Sequence, residues 1–111
     1  MKRGDIYWMN VKSEVKHVNT GNRQVLVISN NKCNEFSSVI TVVPLTSENK
    51  KYLPTHVETY LGNIKNTILC EQIISINKSE IIVKSKICSL SKDTMDRVSL
   101  ALMKQIGIME V

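Results

Sequence analysis

The sequence predicts a mainly β domain with a C-terminal helix, its strands mostly antiparallel and wrapped either as a barrel or as a strongly bent sheet. Three observations carry this. Apolar or alternating runs of strand length recur at residues 5–11, 24–30, 39–45, 53–60, 67–76 and 81–87, with turn-forming residues between most of them. Only the last stretch, about residues 92–106, repeats its apolar positions at helical spacing. At 111 residues, with no repeat, low-complexity tract or Pro- or Ser-rich linker, the chain has the length for one core, so residues 1–111 are expected to form a single domain.

Residues 5–11, DIYWMNV, alternate: Ile6, Trp8 and Asn10 fall on one side, Tyr7, Met9 and Val11 on the other, a first strand with aromatic rings to pack. Residues 12–22, KSEVKHVNTGN, lose that pattern and make an exposed loop long enough to suggest function. It offers Lys12, Lys16 and His17 to a phosphate, the plain alternative being solvated loop residues. The loop delivers Arg23 to the mouth of the next strand, where Val25, Leu26, Val27 and Ile28 form an unbroken apolar run covered on both faces. A guanidinium stays charged and presents a planar fork of donors, so Arg23 fixes a cation at one point of the surface, an arrangement suited to a phosphate. Read plainly, it is a solvated residue flanking a core strand.

Residues 31–38, NKCNEFSS, are expected to turn the chain into the almost wholly apolar strand VITVVPL, at whose end stand Thr46 and Ser47. Adjacent hydroxyls can serve an anion or accept a proton, and they are also what an ordinary turn selects. Residues 53–60 read as an exposed strand with Pro54 at its start, where a missing N–H does least harm. Residues 67–76, TILCEQIISI, form the third apolar run, with Glu71 and Gln72 inside it. An unpaired buried polar group costs roughly 1–3 kcal/mol, so these two either find partners or face a cleft. Residues 81–87 supply a further strand. The closing helix has Ser91 as N-cap, Leu90 and Met95 at the positions of a hydrophobic staple and Gly107 to end it, with Met95, Val98, Leu102 and Ile106 on its packed face.

Composition narrows the function classes. The net charge of +5 and pI near 9.2 favour an anionic partner such as nucleic acid. The three cysteines, Cys33, Cys70 and Cys88, form no CxxC pair, and the two histidines, His17 and His56, supply no ligand cluster, so neither a disulfide framework nor a metal is implied. The start, MKRGDIYW, reads as neither a secretory signal nor a membrane span, so the expected location is cytoplasmic.

Six segments in order, KRGDIYW, NRQVLVISN, VITVVPLTSE, LPTHVE, TILCEQI and LSKDTMDRVSLALMKQIGI, closely resemble the MazF/PemK family of toxin endoribonucleases over nearly the whole chain. The resemblance implies an SH3-like β-barrel with a C-terminal helix, acting as a homodimer without metal or other cofactor. It implies a toxin of a type II toxin-antitoxin system that cuts single-stranded RNA, usually messenger RNA, at short sequences. In this family the 2′-hydroxyl attacks the adjacent phosphorus, leaving a 2′,3′-cyclic phosphate and a 5′-hydroxyl, and a cognate antitoxin protein occupies the RNA groove. The family arginine falls on Arg23 and the family hydroxyl on Thr46, the expected catalytic residues. Gln72 matches the glutamine of the EQ pair, which reads or positions a nucleotide, while Ser47 assists Thr46, and Lys16 and His17 are expected RNA contacts.

In-line attack needs a group to take the 2′ proton, one to protonate the leaving 5′ oxygen, and donors for the charge building on the phosphoryl oxygens. Arg23 suits the charge and Thr46 can orient the phosphate or the attacking hydroxyl; neither is a conventional base. The chain departs from its relatives with Gln24 where most have proline, with Ile74 where many have a basic residue, and with a longer loop over residues 12–22. Two further readings follow from the residues: an SH3-like module that binds RNA or antitoxin without cutting, marked by Gln24 and Ile74, and a metal nuclease built on Asp5 and Glu71, which lack motif spacing.

Overall fold

Period-two burial organises most of this chain into antiparallel pairs that curl around two apolar clusters. The computed structural model describes residues 1–11 and 21–111. Its strands are β1 (Asp5–Val11), β2 (Gly21–Val27), β3 (Val39–Thr46), β4 (His56–Leu61), β5 (Ile64–Leu69), β6 (Ile74–Asn77) and β7 (Cys88–Ser89), with helices α1 (Asn31–Phe36) and α2 (Lys92–Gln105). Among the described residues the sheet runs β4-β5-β3-β2-β1-β7, with β6 added to β3. Because β4 and β7 are the two ends of that path, the sheet curls into a half-barrel with a gap between them, the expected mainly β architecture with its C-terminal helix.

The continuous apolar runs arise because neighbouring residues serve opposite clusters. Ile6, Leu26, Val43 and Leu45 enter one, which α2 covers with Met95, Val98 and Ala101; Tyr7, Met9, Val25, Val27, Ile40 and Val42 enter the other, closed by Ile76 and Ile81. Full burial of a Val, Leu or Ile side chain contributes about 1.5–3 kcal/mol, so a β2 buried on both faces is among the firmest parts of the sheet. α2 begins as expected, with the Ser91 side chain accepting from the Thr94 N–H, and Gly107 follows it at φ +80°.

Four elements differ from expectation. Residues 31–36 form α1 rather than a turn: Asn30 caps it by accepting from the Cys33 N–H, and the buried Asn34 side chain donates to the Ser29 carbonyl at 2.8 Å. This helix is held by local polar bonds, so it shows no apolar stripe. The run at 67–76 is two strands, because the chain turns at Cys70 to Gln72, where the Gln72 N–H donates to the Leu69 carbonyl at 3.0 Å. Residues 81–87 are not a strand: Ile81 bridges Met9, then a 3-10 turn over Val83–Ser85 leaves Val83 65% exposed. The buried stripe of α2 uses Ala101 where Ile106 was expected, and Ile106 is 61% exposed beyond the last helical turn.

Candidate nucleic-acid interface

The site begins where β2 and β3 part. Their ladder pairs Val27 with Val42, Leu26 with Val43 and Val25 with Pro44, and there it stops. Beyond it the next two residues of β3, Leu45 and Thr46, are paired on the opposite edge of the strand, with Ile68 and Thr67 of β5. Carried two residues further, the β2–β3 register sets Arg23 opposite Thr46. With the ladder parted, the space between them is a cleft of about 380 Å³, walled by Trp8, Arg23, Gln24, Thr46, Ser47 and Gln72 over a floor of Leu45 and Leu69.

The structure therefore gathers Arg23, Thr46, Ser47 and Gln72 around one cavity, from the end of β3, the turn after β5, and β2, in which Arg23 is the third residue, paired with Met9, rather than standing before a strand that starts at residue 24. Lys16 and His17 lie outside the described residues. Arg23 is half-buried, yet among the described residues it donates to no protein acceptor. The other two arginines are engaged: Arg3 with the Ile28 carbonyl and the Ser99 hydroxyl, Arg97 with the Glu58 carbonyl. Thr46 Oγ1 accepts from the Glu48 N–H at 3.2 Å, which fixes the hydroxyl while leaving its own proton available to donate. Lys50 also lines the cleft, its charge shared with Glu48 at 3.4 Å on an exposed surface.

Glu71 points away from this chemistry. Its Oε2 accepts from His56 Nε2 at 2.8 Å, its Oε1 is buried without a partner, and His56 lines a separate cavity beside Arg97 and Lys104. Asp5 belongs to another network, accepting from the Ser89 hydroxyl at 2.6 Å and the Lys2 N–H at 2.9 Å and pairing with Lys86. Burial alone raises the Asp5 pKa, but the bonds from Ser89 and Lys2 and the charge of Lys86 outweigh it and hold the carboxyl below its ordinary value. The two carboxylates are thus committed to different partners, and among the described residues no group of three His, Cys, Asp or Glu is placed to hold a metal.

Trp8, Asn22, Glu48 and Lys50 complete the lining and were not singled out as site residues in the sequence; Gln24 stood out only as a departure. The alternation of Ile6, Trp8 and Asn10 carried a signal for Trp8: Ile6 is fully buried, whereas two residues on Trp8 is 37% exposed at the rim.

A curled antiparallel sheet closed by one helix, with its cleft at the β2–β3 parting, belongs to a known class. Residues 2–106 match the family described as PemK-like, MazF-like toxin of type II toxin-antitoxin system, and the chain belongs to that family. It is 36% identical to Endoribonuclease EndoA of Bacillus subtilis, over 99% of this chain and 97% of that one. It is 32% identical to Endoribonuclease MazF of Staphylococcus saprophyticus, over 97% and 92%. Among solved structures, a mycobacterial endoribonuclease in complex with its cognate antitoxin superposes with a TM-score of 0.83 at 20% identity, covering 100% of this chain and 99% of that one. MazF from Deinococcus radiodurans superposes with a TM-score of 0.79 at 23% identity, covering 96% of each.

Proposed function

We propose that this chain is the toxin of a type II toxin-antitoxin pair, an endoribonuclease that cuts single-stranded messenger RNA at a short sequence, with Arg23 and Thr46 at the reacting phosphate. The observation that carries this is the half-buried Arg23 guanidinium, without a protein acceptor among the described residues, facing Thr46 across an open cleft. An anion seated there receives charge-assisted bonds from the guanidinium fork, which strengthen as charge builds on the phosphoryl oxygens. Thr46 donates to the phosphate or aligns the 2′-hydroxyl for in-line attack, Ser47 supports it, and Gln72 positions a nucleotide. The products are a 2′,3′-cyclic phosphate and a 5′-hydroxyl. The mechanism assigns no step to a cofactor, and Lys16 and His17 contact RNA.

The same reading gives a single toxin domain that works as a homodimer in the cytoplasm and is held by a cognate antitoxin; among the described residues no helix is long and apolar enough to cross a membrane. Ile74 does not mark decay of the site. It lies in β6 opposite Val42 and packs on the second apolar cluster, away from the cleft lining.

Incubating the protein with a long mixed-sequence RNA in excess chelator and mapping the fragment ends tests this reading. Cuts at one repeated short sequence with cyclic-phosphate ends are expected. RNA bound but left intact would instead establish the non-cleaving module.

A further inference from the structure

The gap left in the half-barrel is itself a cavity. About 370 Å³ opens between the β4–β5 hairpin on one side, through Leu61, Ile64 and Asn66, and Ile87 and Cys88 on the other. It adjoins the cleft: Gln24 and Ser47 line both. Leu61, Ile64 and Ile87 give it aliphatic walls, and the amides of Gln24 and Asn66 line it beside Ser47. Asn66 is only 3% exposed; its Nδ2 makes one long bond to the Ile64 carbonyl at 3.3 Å, and its Oδ1 is buried with no partner. A buried acceptor left unpaired is costly, and such groups in native structures call for a reason. Apolar walls with a few convergent polar groups are the make-up of a site for a flat organic ring.

We infer that the barrel gap is a nucleobase subsite, in which a base splayed out beside the reacting phosphate is read by Gln24 and Asn66. This rests on the endoribonuclease reading for its substrate class. The ring lies between Ile64 and Ile87, and an N–H on its Watson–Crick edge supplies the partner that Asn66 Oδ1 lacks once the amide turns from its single long bond. Gln24 presents a donor and an acceptor from the strand that carries Arg23, so the base is read next to the chemistry. Gln24, which lines both the cleft and the gap, thereby acts as a specificity determinant.

The test uses two measurements on the parent, Gln24→Ala and Asn66→Ala: sequencing of cut ends from a randomised RNA library, and binding of short RNAs carrying a 2′-deoxy sugar at the cleaved nucleotide with each base in turn at the flanking positions. Both variants are expected to lose discrimination at one and the same flanking position by about tenfold or more, with preferences elsewhere intact. Gln24 is half-exposed, so its variant reports even where Asn66→Ala disturbs folding. Preferences unchanged, or binding weakened equally for every sequence, would overturn the inference. A parent that binds with base preference but does not cut would overturn the endoribonuclease reading alone, and the binding measurement would still decide the subsite; a parent that binds no RNA overturns both.

Discussion

Replacing His56 by alanine probes how the cleft is supported from behind. His56 Nε2 donates to Glu71 Oε2 at 2.8 Å, the two side chains are 8% and 25% exposed, and Glu71 Oε1 already lacks a partner. A hydrogen bond to a carboxylate contributes about 1.5–3 kcal/mol, and its loss here strands the acceptor rather than returning it to water. Unfolding entropy of about 2.1 cal/mol/K per residue gives about 0.23 kcal/mol/K for a chain of this length, so His56→Ala is expected to lower Tm by about 6–13 °C. Calorimetry on His56→Ala, Glu71→Gln and the double variant provides the check. The double variant is expected to recover part of the loss, because the stranded carboxylate is gone, giving a coupling of about 0.5–3 kcal/mol. A His56→Ala protein melting within 2 °C of the parent (about 0.5 kcal/mol by the same conversion), or strictly additive effects, would refute the reasoning.

Arg23→Ala is expected to lower single-turnover RNA cleavage by about 10²–10³-fold, the loss typical of one preorganised donor, while Tm changes little, because the side chain supports no protein acceptor among the described residues. Loss of fold in parallel with activity would contradict that assignment. The depressed pKa of Asp5 means that its contribution to stability is complete above its unfolded value of 3.8 and is lost as pH falls through the lower folded value; Asp5→Asn is therefore expected to flatten the acid limb of a pH–stability curve measured by urea titration. Burial, helped by the charge of Glu71, pushes the Cys70 thiol up to about 12, so mass spectrometry after alkylation is expected to find Cys70 modified only once the protein is unfolded. Trp8, the single tryptophan, lines the cleft, so its emission is expected to change on adding a 2′-deoxy-blocked RNA and to follow the same saturation curve as binding.

Sheet and helix were legible where burial marks the sequence: β1 follows from alternation, β2 and β3 from unbroken apolar runs, and the ends of α2 from Ser91 and Gly107. Reading failed where local hydrogen bonds, or a change of the surface that buries a run, decide. The Asn30 cap and the buried Asn34 amide make α1 out of a segment whose composition also suits a turn. The turn at Cys70 to Gln72 interrupts an apolar run because two different surfaces bury its halves. Arg23, Thr46, Ser47 and Gln72 were recognisable through their order along the chain, but their meeting depends on the β2–β3 register and on where that ladder ends. The barrel-gap cavity was not legible at all: Gln24, Asn66 and Cys88 share no sequence spacing, and only the curl of the sheet brings them together.

β3 pairs with β2, β5 and β6, three neighbours where an ordinary interior strand has two. Local opening of this strand would break all of those ladders at once, so its amides belong to the last unit to exchange with solvent. Thr46 is the final residue of that strand, and Arg23 sits on the neighbouring ladder. In the proposed reading the pair at the phosphate is therefore carried by the most interlocked strands of the sheet, while residues 47–55 beyond Thr46 lie outside the strands.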